Sequence, residues 1–175
     1  WCVSRNWISD TPVKNIAKPA KEEARDRILS DKEIAFLWQA SGDLGWPFGP
    51  CFRFLLLTGQ RRNEVATMEW ADVDLDNGLW TLPRRATKSG RAHEVPLAST
   101  AVELLQSLPR NGQFVFSTTG RSPISGFSKS KLRCDKLMAV ATSTVSDGDG
   151  NIPDWRLHDL RRTAASGMAE IGIAP

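Results

Sequence analysis

His158-Asp159-Leu160-Arg161-Arg162-Thr163 sets a histidine and an arginine three positions apart. On a helix that spacing projects both side chains from one face and leaves Leu157, Leu160 and Ala164 to lie against a core. A guanidinium is a rigid, permanently charged fork that grips two phosphate oxygens, and an imidazole exchanges a proton near neutral pH. The pair therefore suits a phosphate whose charge must be stabilised during transfer. Taken alone, the spacing fits a solvated basic face better. Asp154 is the expected cap of this last helix, which runs towards Ile171 with Gly172 as its stop.

Working outward, Thr58-Gly59-Gln60-Arg61-Arg62-Asn63-Glu64 places a glycine where a helix can leave through the left-handed region and turn sharply. The backbone then aims the arginine that follows, and Glu64, one turn on, can pair with an arginine and hold its fork. By spacing alone either Arg61 or Arg62 could be the functional cation. Lys88 lies in Thr87-Lys88-Ser89-Gly90-Arg91, between two expected strands at 79–82 and 92–97. Its ammonium, on a flexible stem, can reach a groove or a leaving oxygen. Basic hairpin tips are often merely solvated, so Lys88 gains weight from its company.

The 175 residues, 41% hydrophobic and 25% charged, suffice for one sizeable core. The net charge of +3, from 23 basic and 20 acidic residues, is a mild hint of an anionic partner. Three cysteines, odd in number and in no ligand spacing, fit free thiols in a reducing compartment. No run approaches the roughly 18 apolar residues of a membrane span, and no signal pattern opens the chain, so a cytoplasmic protein without membrane contact is expected.

The periodicities predict a mainly α fold with one small antiparallel β-sheet, an α+β class. Ser30-Asp31-Lys32-Glu33 forms a capping box that opens a helix through about residue 39. An apolar helix follows at 51–57, after a Gly/Pro-rich break at 42–50. Asp76-Asn77-Gly78 carries turn chemistry. Ser99 is the expected cap of a helix bearing Val102, Leu104, Leu105 and Leu108, and residues 114–116 are extended. A helix at 126–141 alternates Phe127, Leu132, Leu137 and Val140 with Lys129, Lys131, Arg133 and Lys136. The polar stretch 143–150 is expected to be mobile. Trp38, Trp70 and Trp80 read as core, Trp155 stands close to His158, and His93 is structural or at most a second phosphate contact. Residues 1–28 read as a linker or the tail of a preceding domain, with Trp1 and Trp7 docking back on the body, and residues 29–175 form the domain proper.

Taken in order, Arg61 within Thr58–Glu64, the Trp70-Ala71-Asp72-Val73-Asp74 stretch, Thr87–Gly90 with Val95-Pro96-Leu97, and His158–Thr163 resemble the catalytic domain of the tyrosine recombinases, the phage integrase family, over about residues 30–175. The resemblance implies site-specific DNA recombination or integration, as in a prophage or mobile element, by cleavage and rejoining through a 3′-phosphotyrosine. By position, Arg61 and Arg161 would hold the non-bridging oxygens, Lys88 would protonate the leaving 5′-oxygen, His158 would assist proton transfer and Glu64 would be the supporting carboxylate. Such a site relies on fixed positive charge and implies no metal and no cofactor. The implied partner is double-stranded DNA, bound by a tetramer on paired sites when complete. DNA contacts are expected from Arg62, Arg84, Arg85, Arg91 and Arg162, and from Lys129, Lys131, Arg133 and Lys136. The family continues past this helix with a second His or Trp and then the tyrosine, whereas this sequence has no tyrosine and Pro175 lies twelve residues past Thr163. The expectation is a truncated, monomeric chain inactive in cleavage, with a non-catalytic DNA-binding remnant or short form as the alternative.

Overall fold

The computed structural model describes residues 1–11, 14, 16, 25–87, 90–145 and 152–173. Lys88 and residues 146–150 of the polar stretch lie outside them. The capping box at Ser30 forms as expected: the Glu33 carboxylate accepts the Ser30 N–H at 2.8 Å, and Ser30 Oγ accepts the Glu33 N–H at 3.4 Å. It opens α1, Asp31–Leu44, which runs beyond residue 39 to Gly45 and buries Leu37, Ala40 and Leu44. Helix α2, Phe48–Thr58, starts inside the stretch read as a break. Its Gly49 faces the Ser41 carbonyl so closely that a Cβ would stand 1.9 Å from that oxygen, so α1 and α2 cross backbone to backbone. With Cys51, Phe52, Phe54 and Leu55 at most 1% exposed, α2 is the axis of the core.

Gly59 ends α2 in the left-handed region at φ +60, as the sequence predicts, and donates its N–H to Leu55. The short α3, Arg62–Ala66, follows at once, and a 3-10 turn, Trp70–Asp72, leads into the sheet. Strands β1 (Val73–Asp74), β2 (Leu79–Leu82) and β3 (His93–Pro96) pair antiparallel in the order β1-β2-β3, with Trp80 opposite Val95 and Leu82 opposite His93. Trp80, Leu82 and Val95 point inward, while β1 is two residues long, too short to show an alternation.

Helix α4, Ser99–Gln106, begins one residue earlier than predicted: Ala98 is the N-cap and Ser99 is already helical, its side chain making no cap. The 114–116 segment, expected to be extended, makes a single isolated bridge, Phe114 with Glu69, and then bends at Val115 and Phe116, both buried, with Val115 donating to the Met68 carbonyl. Helix α5, Phe127–Val145, continues past residue 141 into the stretch expected to be mobile. Its inner face is Ser130, Cys134, Met138 and Ala141, at helical spacing, so Leu132 and Val140 turn outward, each 62% exposed. Helix α6, Leu157–Glu170, packs against α2.

Of the tryptophans read as core, Trp80 is buried, while Trp38 and Trp70 are half-buried beneath the guanidiniums of Arg53 and Arg110, 4.7 and 4.6 Å from their ring centres. Trp1 and Trp7 do not dock on the body. They pack edge to face on each other at 4.8 Å and stay about 70% exposed, because a turn of hydrogen bonds within residues 1–7 holds them together. Among the described residues no helix is long and apolar enough to cross a membrane.

Candidate phosphate site

Arg61 heads α3 with an extended backbone, and a carboxylate one turn on holds it twice. Glu64 Oε2 accepts the Arg61 main-chain N–H at 2.9 Å, and Glu64 Oε1 accepts from Arg61 Nη1 at 2.9 Å. Glu64 is buried, so its two bonds fix the base of a guanidinium that is itself half exposed. Arg62 lies on the same cleft but is held differently: its Nε donates to Asn63 Oδ1, and its guanidinium lies over the Phe127 ring at 5.4 Å. Packing thus separates two neighbours that spacing left equivalent.

Arg161 comes from α6 and donates from Nη1 to the Gly59 carbonyl at 2.6 Å, which brings it beside the turn that carries Arg61. The approach is close enough that a Cβ on Gly59 would stand 3.2 Å from Ala164 Cβ. His158, one turn earlier and exposed, shares with Arg61 and Arg161 a cleft of about 700 Å3. A second cleft of about 510 Å3 opens on the other side of the same two arginines and is lined by Thr87, Arg91 and His93. Lys88 lies outside the described residues, but the feet of its loop, Thr87 and Arg91, are joined by a 2.7 Å hydrogen bond at this second cleft. His93, exposed on β3, faces the arginines rather than the core.

The last helix is not capped by Asp154. Helix α6 starts at Leu157 with Arg156 as N-cap, and Asp159 reaches back to accept the Arg156 N–H at 2.8 Å. Asp154 is exposed and binds Arg25 at 3.0 Å instead. Asp159 is fully buried, accepts from Arg162 Nη1 at 3.0 Å, and has Arg25 Nε at 3.3 Å. Thr163 Oγ1 donates to the Asp159 carbonyl at 2.8 Å and accepts the Leu29 N–H at 2.9 Å. A strap formed by residues 25–29 is thereby tied to the helix that carries His158 and Arg161. Sequence reasoning missed Asp159 and Thr163 as anchors. The available signal was a carboxylate three residues after an arginine at a helix start, the arrangement that Arg61 and Glu64 repeat.

The expected DNA-contacting cations divide by environment. Lys129, Arg133 and Lys136 are exposed on the outer face of α5, and Arg84 and Arg91 are exposed beside the sheet. Lys131 is engaged: it binds Asp135 at 2.7 Å and lies 4.1 Å from the Trp155 ring centre. Arg85 pairs with Glu69 at 3.2 Å, and Arg162 with Asp159. Among the described residues no group of three His, Cys, Asp or Glu side chains is placed to hold a metal ion.

The sequence profile of the phage integrase family matches residues 15–175. The chain belongs to the phage integrase family. The Shufflon-specific DNA recombinase of Escherichia coli is 31% identical over 92% of this chain and 38% of its own length, and the integrase of Salmonella phage P22 is 30% identical over 97% of this chain and 43% of its own. The chain thus spans about two fifths of those relatives. A lambda integrase(75-356) dimer bound to a COC′ core site shares the fold with a TM-score of 0.68 at 20% identity, over 98% of this chain and 62% of that one. XerA recombinase gives 0.64 at 18% identity, over 91% of this chain and 55% of its own. The integrase-family fold is therefore the α+β arrangement that the periodicities predicted, with Arg61 and Arg161 brought together by α6 crossing the end of α2.

Proposed function

We propose that this chain forms the phosphate-holding part of a tyrosine-type site-specific DNA recombinase or integrase. The observation that carries the reading is the convergence of Arg61, clamped by Glu64, and Arg161, anchored on the Gly59 carbonyl, with His158 on the same cleft. Two preorganised guanidiniums stabilise the charge that builds on non-bridging oxygens as a phosphodiester is attacked. His158 assists proton transfer, and Lys88 protonates the leaving 5′-oxygen from a loop whose feet reach the second cleft. The 175 residues hold no tyrosine, so the attacking phenol of this scheme comes from outside them, and cleavage by this polypeptide alone is not expected. The partner is double-stranded DNA in the cytosol, held as a tetramer on paired sites by the complete protein, while this chain alone is monomeric. Residues 1–28 lead in from a preceding domain. Backbone contacts come from the exposed Lys129, Arg133, Lys136, Arg84 and Arg91, with Arg62, Arg85, Lys131 and Arg162 contributing after they exchange their present partners.

The test is duplex binding by fluorescence anisotropy across a salt series. Each phosphate contact adds about 0.9 to the slope of log affinity against log salt. The double variant Arg61→Ala, Arg161→Ala is expected to lower that slope by roughly 1 to 2. An unchanged slope, or no duplex binding by the parent chain, overturns the reading. So does a covalent adduct on a nicked suicide substrate, as regards cleavage.

A further inference from the structure

The cleft of about 700 Å3 that begins at Arg61, His158 and Arg161 is larger than a phosphate requires and falls in the roughly 300–1,000 Å3 range of sites that take organic ligands. Away from the arginines its lining changes character. Phe127, Leu132 and Trp155 supply apolar surface, and Gln60 and Asn63 bring carboxamides to the same space. Leu132 is 62% exposed there, an apolar side chain left beside a cationic centre. Trp155 is 2% exposed and backs the cleft behind Lys131, whose Nζ lies 4.1 Å from its ring centre.

These features describe a flat, heteroaromatic, hydrogen-bonding guest attached to a phosphate. A nucleobase has two π-faces that stack on aromatic or guanidinium planes, and the Arg62 guanidinium over Phe127 already forms one such plane. Its edge carries the donors and acceptors that carboxamides read. A base still stacked in duplex cannot reach such a cleft, but strands that move from one duplex to another must unpair first. We propose that this cleft binds one unstacked nucleobase next to the phosphate held by Arg61 and Arg161, an inference that rests on the strand-transfer reading above.

The test uses the 175-residue chain and two hairpin duplexes, identical except that one carries a single extrahelical 2-aminopurine. Affinities are read by anisotropy of a distant dye, and the 2-aminopurine emission is read separately. The bulged duplex is expected to bind about tenfold tighter, and its 2-aminopurine emission to fall on contact with the aromatic wall. Gln60→Ala, which deletes one of the carboxamides, and Leu132→Asn, at an exposed position, are expected to reduce that preference to within twofold without changing affinity for the paired duplex. Circular dichroism checks that both variants fold. Equal affinity for the two duplexes, or a preference that neither variant alters, overturns the proposal while paired-duplex binding still upholds the DNA-binding reading. Failure to bind either duplex overturns both.

Discussion

Arg161 Nη1 and the carbonyl oxygen of Gly59 are 2.6 Å apart although 102 positions separate the two residues in the chain. One edge of the guanidinium is spent on the protein, which leaves the rest of the fork aimed by that bond. Lysine carries the same charge without the fork and cannot serve a carbonyl and a phosphate in fixed geometry at once. Arg161→Lys should therefore lose about 1.5–3 kcal/mol of affinity for DNA or for an oxyanion competitor while melting close to the parent. Isothermal titration beside a thermal scan reads both quantities.

Glu64 satisfies the Arg61 main chain and side chain together from a buried position. In Glu64→Gln the amide keeps one acceptor and turns donors towards a cation. The variant should be about 1–3 kcal/mol less stable in urea unfolding, and it should weaken phosphate binding because Arg61 is no longer held in place.

Thr163→Val preserves shape but leaves the buried Leu29 N–H without its acceptor. A loss of about 1–3 kcal/mol is expected, against near-neutral behaviour for Thr163→Ser, which keeps the hydroxyl. Matching losses in the two variants would mean that the strap bond contributes nothing.

Acid should loosen the start of α1. Burial alone pushes the Glu33 carboxyl up, but hydrogen bonds from Arg27 and Ser30, with the Arg27 charge, more than reverse this and leave it below the ordinary glutamate value. A carboxyl lowered in the folded state stabilises fully above its unfolded pKa, and that contribution disappears as pH falls through the folded value. Urea unfolding from neutral pH down through the carboxylate range should accordingly show a shallower acid decline in Glu33→Gln than in the parent.

Thiol labelling should single out Cys2. Burial raises the Cys51 thiol far above its ordinary value, and burial beside Asp135 pushes Cys134 up to about 12. Cys2 alone of the three is exposed. Iodoacetamide under native conditions should add one label per chain by mass, and denaturation should add the others.

Much of this fold is legible in sequence where the physics is local. Ser30 and Glu33 lie within one turn of each other, so their reciprocal cap can be read directly, and Gly59 marks the helix exit because only glycine turns left-handed freely. Asp154 misleads because cap chemistry in a sequence does not reveal that the helix begins three residues later. Leu132 and Val140 mislead because the inner face of α5 includes a serine and a cysteine, which blur its apolar stripe. What sequence could not show are contacts between distant segments. Nothing in the spacing distinguishes Arg61 from Arg62 until Phe127 of α5 is laid beneath the Arg62 guanidinium, and nothing near Leu29 announces Thr163. The cations of the site are legible as types, and only the fold selects among them.

Because the turn after α2 and the helix α6 meet at Arg61 and Arg161, an oxyanion seated between them acts as a removable staple across about a hundred residues of chain. A staple that binds only the folded form adds its free energy to folding, about 2.7 kcal/mol at a hundredfold excess over its Kd. On the reading proposed above, a bound phosphodiester is part of what keeps the domain closed, and the domain is most robust while it holds one.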